Sequence, residues 1–197
     1  MQKACEVAGK EPIFRILPYQ KKKAGIVTTG SEVYYQRIED KFTPVVIEKL
    51  KECGVTEVKQ IRCNDDHEMI TEAIQTLIED GSDLIVCTGG MSVDPDDRSP
   101  LAIKYACMEV FFYGVPVFPG AMFMLAYCEK EGRQIPVMGL PGCVMYAKRT
   151  IFDLVLPRIM CDEKLHEKDF RLLGQGGLCL SCPVCTFPNC GFGKGGY

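Results

Sequence analysis

Between residues 24 and 156, short apolar runs alternate with segments whose apolar residues recur at helical spacing, and three of those transitions pass through glycine-bearing loops. No other feature constrains the fold as tightly. A chain of this pattern closes into an open, mostly parallel sheet covered by helices on both faces, a three-layer α/β/α architecture. Ala24–Thr29, Val55–Cys63 and Asp83–Cys87 read as strands, and their dense apolar content fits burial on both faces. Phe42 to Cys53 carries apolar residues at 42, 45, 46, 50 and 53 and reads as a helix stopped by Gly54. Glu68 to Glu79 reads as a second helix, with Met69, Ile70, Ala73, Ile74, Leu77 and Ile78 on one face and Asp65 or Asp66 as its cap. Pro100–Phe111 and Cys143–Leu156 are predicted helices, the latter ended by Pro157. Met122–Cys128 and Gln134–Met138 are predicted to pair as a hairpin around residues 129–133. Residues 1–23 read as an irregular lead-in, with Ile13–Leu17 a strand or an extended segment. Sheets of this class bind ligands outside the carboxyl ends of their strands, which singles out loops 28–32, 88–98 and 139–143.

Charge and cysteine usage narrow the function. Lys plus Arg is 23 against 26 Asp plus Glu, a formal net charge of -3, which leaves no electrostatic footprint for nucleic acid. No run approaches the roughly 18 apolar residues of a membrane span, and the amino terminus lacks the apolar core of a signal peptide. A cytoplasmic setting is therefore expected, with the 12 cysteines as thiols or metal ligands rather than disulfides. Eight of them (Cys5, Cys53, Cys63, Cys87, Cys107, Cys128, Cys143 and Cys161) are scattered and read mostly as small buried hydrophobes. The other four, Cys179, Cys182, Cys185 and Cys190, form C-x2-C-x2-C-x4-C. From Arg171 onward there is no acidic residue, and seven of the 19 glycines lie there, so residues 171–197 are expected to be a small Cys-rich extension beyond an α/β domain at 24–170. Four thiolates on a metal would supply folding energy that so little apolar content cannot. Tetrahedral zinc and an iron–sulfur cluster both fit, against a flexible tail with free or disulfide-linked cysteines. With only His67 and His166 in the chain, a His-rich site is excluded.

The common nucleotide signatures, G-x-G-x-x-G and the P-loop, are absent. In their place stands Thr88-Gly89-Gly90-Met91-Ser92-Val93-Asp94-Pro95-Asp96-Asp97. Glycine amides can cradle phosphate, and adjacent carboxylates suit Mg²⁺. The alternative is a glycine-rich turn with solvated acids.

Taken in order, Thr28-Thr29-Gly30-Ser31-Glu32, then Thr88-Gly89-Gly90-Met91-Ser92 with Asp97, then Gly139-Leu140-Pro141-Gly142, the loops resemble the molybdopterin-binding domain of molybdenum-cofactor biosynthesis proteins. That family includes bacterial adenylyltransferase and molybdotransferase domains and the corresponding domains of gephyrin. The resemblance covers roughly residues 24–156. It implies a domain that binds the molybdopterin dithiolene and its terminal phosphate, with MgATP-dependent adenylylation or molybdenum insertion as its chemistry. Carried over, it implies pterin or phosphate contacts at Thr29, Gly30, Ser31, Glu32, Gly89, Gly90, Ser92, Gly139, Leu140, Pro141, Gly142 and Cys143. It places Asp97 and Asp65 (or Asp66) in catalytic, metal-associated roles, with Asp94 as a further Mg²⁺ ligand. It also implies a homo-oligomer, a dimer or trimer.

Four positions depart from the family pattern. Cys143 replaces an asparagine, Ser31 an aspartate and Asp94 a glycine, and Pro119-Gly120 is not followed by lysine. Two alternatives to the enzyme stay open: a non-catalytic pterin or nucleotide carrier or regulator, and a redox module using the tail. Cys143, at the start of a predicted helix, is expected to favour the thiolate or else to pack at the helix end.

Overall fold

The structure is a computed structural model that describes residues 2–9, 15–107 and 109–195. Six strands form one sheet in the order β2-β1-β3-β6-β5-β4. They are β1 (Lys23–Thr29), β2 (Glu57–Cys63), β3 (Leu84–Thr88), β4 (Glu109–Tyr113), β5 (Met124–Lys130) and β6 (Arg133–Leu140). β2, β1, β3 and β6 are mutually parallel, and β5 runs against both its neighbours. The three-layer α/β/α expectation holds. Side chains alternate along the central strands: Ile26, Leu84 and Val86 face one core, while Val27, Ile85 and Cys87 face the other. The first core lies under α3 (Phe42–Glu52) and α6 (Ile151–Met160), the second under α4 (His67–Glu79) and α5 (Ser99–Ala106). Shorter helices are α1 (Gln2–Ala8), α2 (Ser31–Tyr34) and α7 (Glu167–Leu172). The β5–β6 hairpin turns at Glu131 and Gly132, both at positive φ (53° and 74°), the twist a two-residue hairpin loop needs.

Four expectations are corrected. The helix predicted to reach Phe111 stops at Ala106, and Glu109–Tyr113 is a strand. Cys107 turns extended (φ -116°, ψ 136°) and is disulfide-bonded to Cys128 on β5, which turns the chain onto the sheet edge. That disulfide also overturns the expectation that the cysteines stay unpaired; spacing alone does not reveal such a pairing. The predicted Cys143–Leu156 helix is two elements: a 3₁₀ turn at Gly142–Met145, then α6. A capping box starts α6, with Thr150 accepting from Phe152 N and Asp153 accepting from Thr150 N. α6 then runs through Pro157. Burial of Ile151, Phe152, Val155, Leu156 and Ile159 outweighs the roughly 3 kcal/mol that an interior proline costs. Lastly, the lead-in contains α1, while Arg15–Leu17 has no regular structure; Ile13 and Phe14 of the predicted apolar patch lie outside the described residues.

The described part of the tail is docked rather than free. Phe118 N–H donates to Gly177 O (2.6 Å) and Cys179 N–H to Phe118 O (2.8 Å), a parallel bridge between Phe118 and Leu178. Phe192 is buried in the first core. Gly193 passes so close to α6 that a Cβ there would sit 2.3 Å from Leu154.

Candidate functional site

Strand register sets Thr28 beside Thr88 and Thr88 beside Leu140. The loops leaving β1, β3 and β6 therefore emerge side by side. β1 is followed in sequence by β2 on one side, whereas β3 lies on its other side, so the strand order reverses here, where open α/β sheets form their ligand crevice. Gly30 has φ 130°, Gly89 φ 87° and Gly90 φ 55°, backbone that side chains resist. Gly89 has no room either, since a Cβ would lie 2.4 Å from Thr29 O. The Thr29 hydroxyl donates to Thr88 O, and Ser99 Oγ donates to Gly89 O (2.8 Å). These two hydroxyls fix the glycine loop against β1.

A cavity of about 550 Å³ opens at this crest, lined in part by Thr28, Thr29, Thr88, Gly89, Asp40 and Tyr146. Thr88 Oγ1 is buried there and, among the described residues, has no hydrogen-bond partner. An orphaned buried hydroxyl is costly and calls for an explanation; a ligand acceptor or donor is one. Beneath the cavity, Gln60 Nε2 donates to Thr28 Oγ1, Thr43 Oγ1 and Asp40 Oδ2 (2.9, 3.0 and 2.9 Å). Asp40 Oδ1 also accepts from the amides of Phe42 and Thr43, which ties down the start of α3. Burial pushes the Asp40 carboxyl up, but hydrogen bonds from Thr43, Gln60 and Phe42 outweigh it and hold the acid below its ordinary range. A depressed carboxylate stabilises the fold above its unfolded pKa and loses that effect as pH falls through the folded one. Asp40→Ala is therefore expected to lower stability by about 1 kcal/mol at neutral pH. The difference from wild type should shrink as pH drops below about 4, read from urea midpoints at pH values on either side.

The acidic residues gather nearby. Asp65 Oδ2 accepts from Ser31 N–H and Ser31 Oγ–H, both at 2.8 Å, and Asp66 caps α4 by accepting from Glu68 N. Asp97 accepts from Ser92 N, and Asp94 N–H donates to Ser92 Oγ. Asp65, Asp94, Asp96 and Asp97 line one cavity of about 230 Å³ with Gly90. Among the described residues no three His, Cys, Asp or Glu side chains converge to hold a single ion. The expected Mg²⁺ carboxylates are thus neighbours, not a ready-made cage. Glu32 is exposed in the first turn of α2.

In Gly139-Leu140-Pro141-Gly142, Gly139 makes space: a Cβ there would lie 2.5 Å from Met91 Cε, so the glycine lets Met91 pack beneath the 88–98 loop. Leu140 is wholly buried, which leaves only its backbone for a ligand. Cys143 is half-buried. Burial raises its thiol, its own amide and that of Val144 pull the other way, and the net shift is upward. The thiolate expectation is therefore corrected, because a four-residue 3₁₀ turn does not offset desolvation here. Met145 and Tyr146, just beyond it, are the residues of this segment that line the crest cavity.

All four tail cysteines line a separate cavity of about 390 Å³, together with Tyr146, Lys148, Arg149, Phe187 and Phe192. None of the four is in a disulfide. The sequence reading missed Asp40, Thr43, Gln60, Thr88 and Tyr146 as site residues. Thr88 stands inside the T-G-G motif, but the other four carry no motif signal, and only the fold brings them together.

Residues 25–160 match a family model described as "Probable molybdopterin binding domain". The chain is 34% identical over 85 residues to CinA-like proteins of Mycobacterium sp. (strain MCS) and Mycobacterium tuberculosis H37Rv, an overlap covering 43% of this chain and 20% of theirs. It thus spans about a fifth of the length of the curated relatives it matches. Among solved structures, a tungsten cofactor synthesizing protein MoaB from Pyrococcus furiosus superposes with a TM-score of 0.54 at 22% identity, over 64% of this chain and 84% of that one. A molybdopterin biosynthesis protein from Mycobacterium abscessus gives 0.57 at 17% identity, over 72% and 92%. These two likenesses establish the fold.

Proposed function

The chain belongs to the molybdopterin-binding domain family, and from that premise we propose that the crest of β1, β3 and β6 binds molybdopterin for molybdenum-cofactor biosynthesis. The observation that carries this reading is the orphaned Thr88 hydroxyl in a cavity of about 550 Å³ at the strand-order reversal. The cavity suits a bicyclic pterin in size, within the common range for small-molecule sites. Successive glycines at positive φ, Gly89 and Gly90, leave backbone N–H groups for the terminal phosphate. Ser31 and Ser92 flank that position, while Asp65 and Asp97 orient both serines. Gly139, Pro141 and Gly142 shape the third wall, with Gly30 permitting the turn from β1 into α2 and Glu32 and Cys143 at the margin.

The donor set of Asp65, Asp94 and Asp97 fits Mg²⁺, a hard cation that binds one or two carboxylates and completes its shell with water and substrate phosphates. Such an ion would neutralise phosphate charge there. The chain's own residues then hold and orient the pterin phosphate beside a nucleotide for adenylylation, or present the pterin for metal insertion. A second reading is a non-catalytic carrier or regulator, favoured by the commitment of Asp65 to Ser31 and Asp97 to Ser92. Pyrophosphate release from MgATP with molybdopterin present identifies adenylylation, AMP release from adenylylated molybdopterin with molybdate identifies insertion, and silence in both assays favours the carrier. The tail cysteines are read as a second, thiophilic centre, zinc or iron–sulfur. Among the described residues no helix is long and apolar enough to cross a membrane. The partners proposed from the family are pterin and nucleotide. Self-association as a dimer or trimer, expected from the family resemblance, is read by light scattering.

Thr88→Val tests the binding site. The substitution removes a buried unpartnered hydroxyl, so stability is expected to rise by about 1 kcal/mol. If the hydroxyl bonds the pterin, affinity by calorimetry is expected to fall about tenfold. Higher stability with unchanged affinity would remove the pterin from this cavity.

A further inference from the structure

Resting on the reading of the tail as a thiophilic centre, we propose that Cys179, Cys182, Cys185 and Cys190 hold an iron–sulfur cluster rather than a single zinc ion, in a cavity that shares a wall with the pterin site. Four unpaired thiols line one cavity of about 390 Å³. Yet among the described residues no three of them are placed to hold a single ion. Tetrahedral zinc draws each sulfur to about 2.3 Å from one centre. A cluster spreads its cysteines around an inorganic cage, and the leading C-x2-C-x2-C is the opening spacing of bacterial ferredoxin runs.

The surroundings fit an anionic cage. Lys148 and Arg149 line the cavity, Arg149 already paired with Asp153 and Glu52 behind it, and no acidic side chain lines it or occurs in the chain beyond Arg171. Phe187 and Phe192 supply apolar cover, and the Arg149 guanidinium lies 4.9 Å from the Phe187 ring centroid. The backbone is already placed, because Gly177 and Cys179 bond to Phe118 and Phe192 anchors the far end in the core. Tyr146 lines both this cavity and the pterin cavity, so the segment just after Gly139-Leu140-Pro141-Gly142 separates the two sites.

The test is anaerobic reconstitution of the full chain with ferrous iron and sulfide, beside a parallel incubation with zinc alone. Iron and acid-labile sulfide are expected in about equal amounts, with broad visible absorption that dithionite bleaches. Cys182→Ser and Cys185→Ser, at exposed positions that leave the core intact, are expected to lose both. Cys161→Ser, outside the cavity, is expected to keep them. Stoichiometric zinc without labile sulfide, or a folded tail that takes up neither metal, overturns the proposal. Molybdopterin calorimetry on the reconstituted wild-type chain separates it from the pterin reading: pterin binding without a cluster sinks only the tail centre, and a cluster without pterin binding sinks only the crest site.

Discussion

Gly89→Ala is expected to lose about 2–5 kcal/mol of stability and to abolish pterin binding in the protein that still folds. Two penalties coincide at this residue. Its φ of 87° costs an L side chain roughly 1–2 kcal/mol. The new Cβ would also lie 2.4 Å from Thr29 O and 2.7 Å from Thr29 Oγ1, and a backbone carbonyl inside a paired strand cannot step aside. Relief must come from moving the 88–98 loop, which carries Gly90, Ser92 and Asp97. Gly132→Ala separates the two penalties. It has a similar φ, 74°, but open space around its Cβ, so it is expected to cost only the conformational part. Urea midpoints read stability, and calorimetry with molybdopterin reads the site. Equal losses at the two positions would mean that Gly89 is kept for its dihedral alone and that the contact with Thr29 does not set the loop.

The sequence carried the sheet core because β1 and β3 are buried on both faces and cannot hide that in their composition; Lys23 is the one exposed residue in the two strands. It carried the three loops because glycine is chemically required where φ is positive. It did not carry elements whose fate is decided by tertiary contact. Val110 and Phe111 continue the predicted helix in sequence, whereas pairing with the open edge of β5, beside the Cys107–Cys128 bond, makes Glu109–Tyr113 a strand. α6 survives Pro157 because its buried face outweighs one missing hydrogen bond, a balance invisible in a local pattern. Site residues divide the same way. Gly89 and Asp97 belong to a motif, whereas Asp40, Thr43 and Gln60 meet only because α3 and β2 pack beside the end of β1. Tyr146 takes its place from the 3₁₀ turn that replaced a predicted helix.

Asp153→Ala is expected to cost about 3–5 kcal/mol, the range for stripping one partner from a buried ion pair. Asp153 is 8% exposed and serves three groups at once. Its Oδ1 accepts from Lys49 Nζ (2.7 Å) and Arg149 (2.8 Å), and its Oδ2 accepts from the Thr150 amide (2.8 Å) that closes the capping box of α6. Truncation leaves the Lys49 ammonium, 11% exposed, with only the Lys148 carbonyl as partner among the described residues. Two cations then face each other, and the capping box of α6 loses its Asp153 half while Thr150 still caps Phe152 N. Asp153→Asn keeps an acceptor for Thr150 and removes only the charge. Combined with Lys49→Met it removes the buried charge pair together and is expected to recover at least half the loss, since replacing both partners is far milder than orphaning one. The same carboxylate steadies Arg149 above Phe187, so Asp153→Ala is also expected to speed thiol labelling at the half-buried Cys179 and Cys190 in the apoprotein. A stability loss below about 1 kcal/mol, typical of an exposed pair, would show that Lys49 reaches solvent when released and that α6 does not depend on this contact. An unchanged labelling rate beside a large stability loss would confine the role of Asp153 to the core and detach it from the tail cavity.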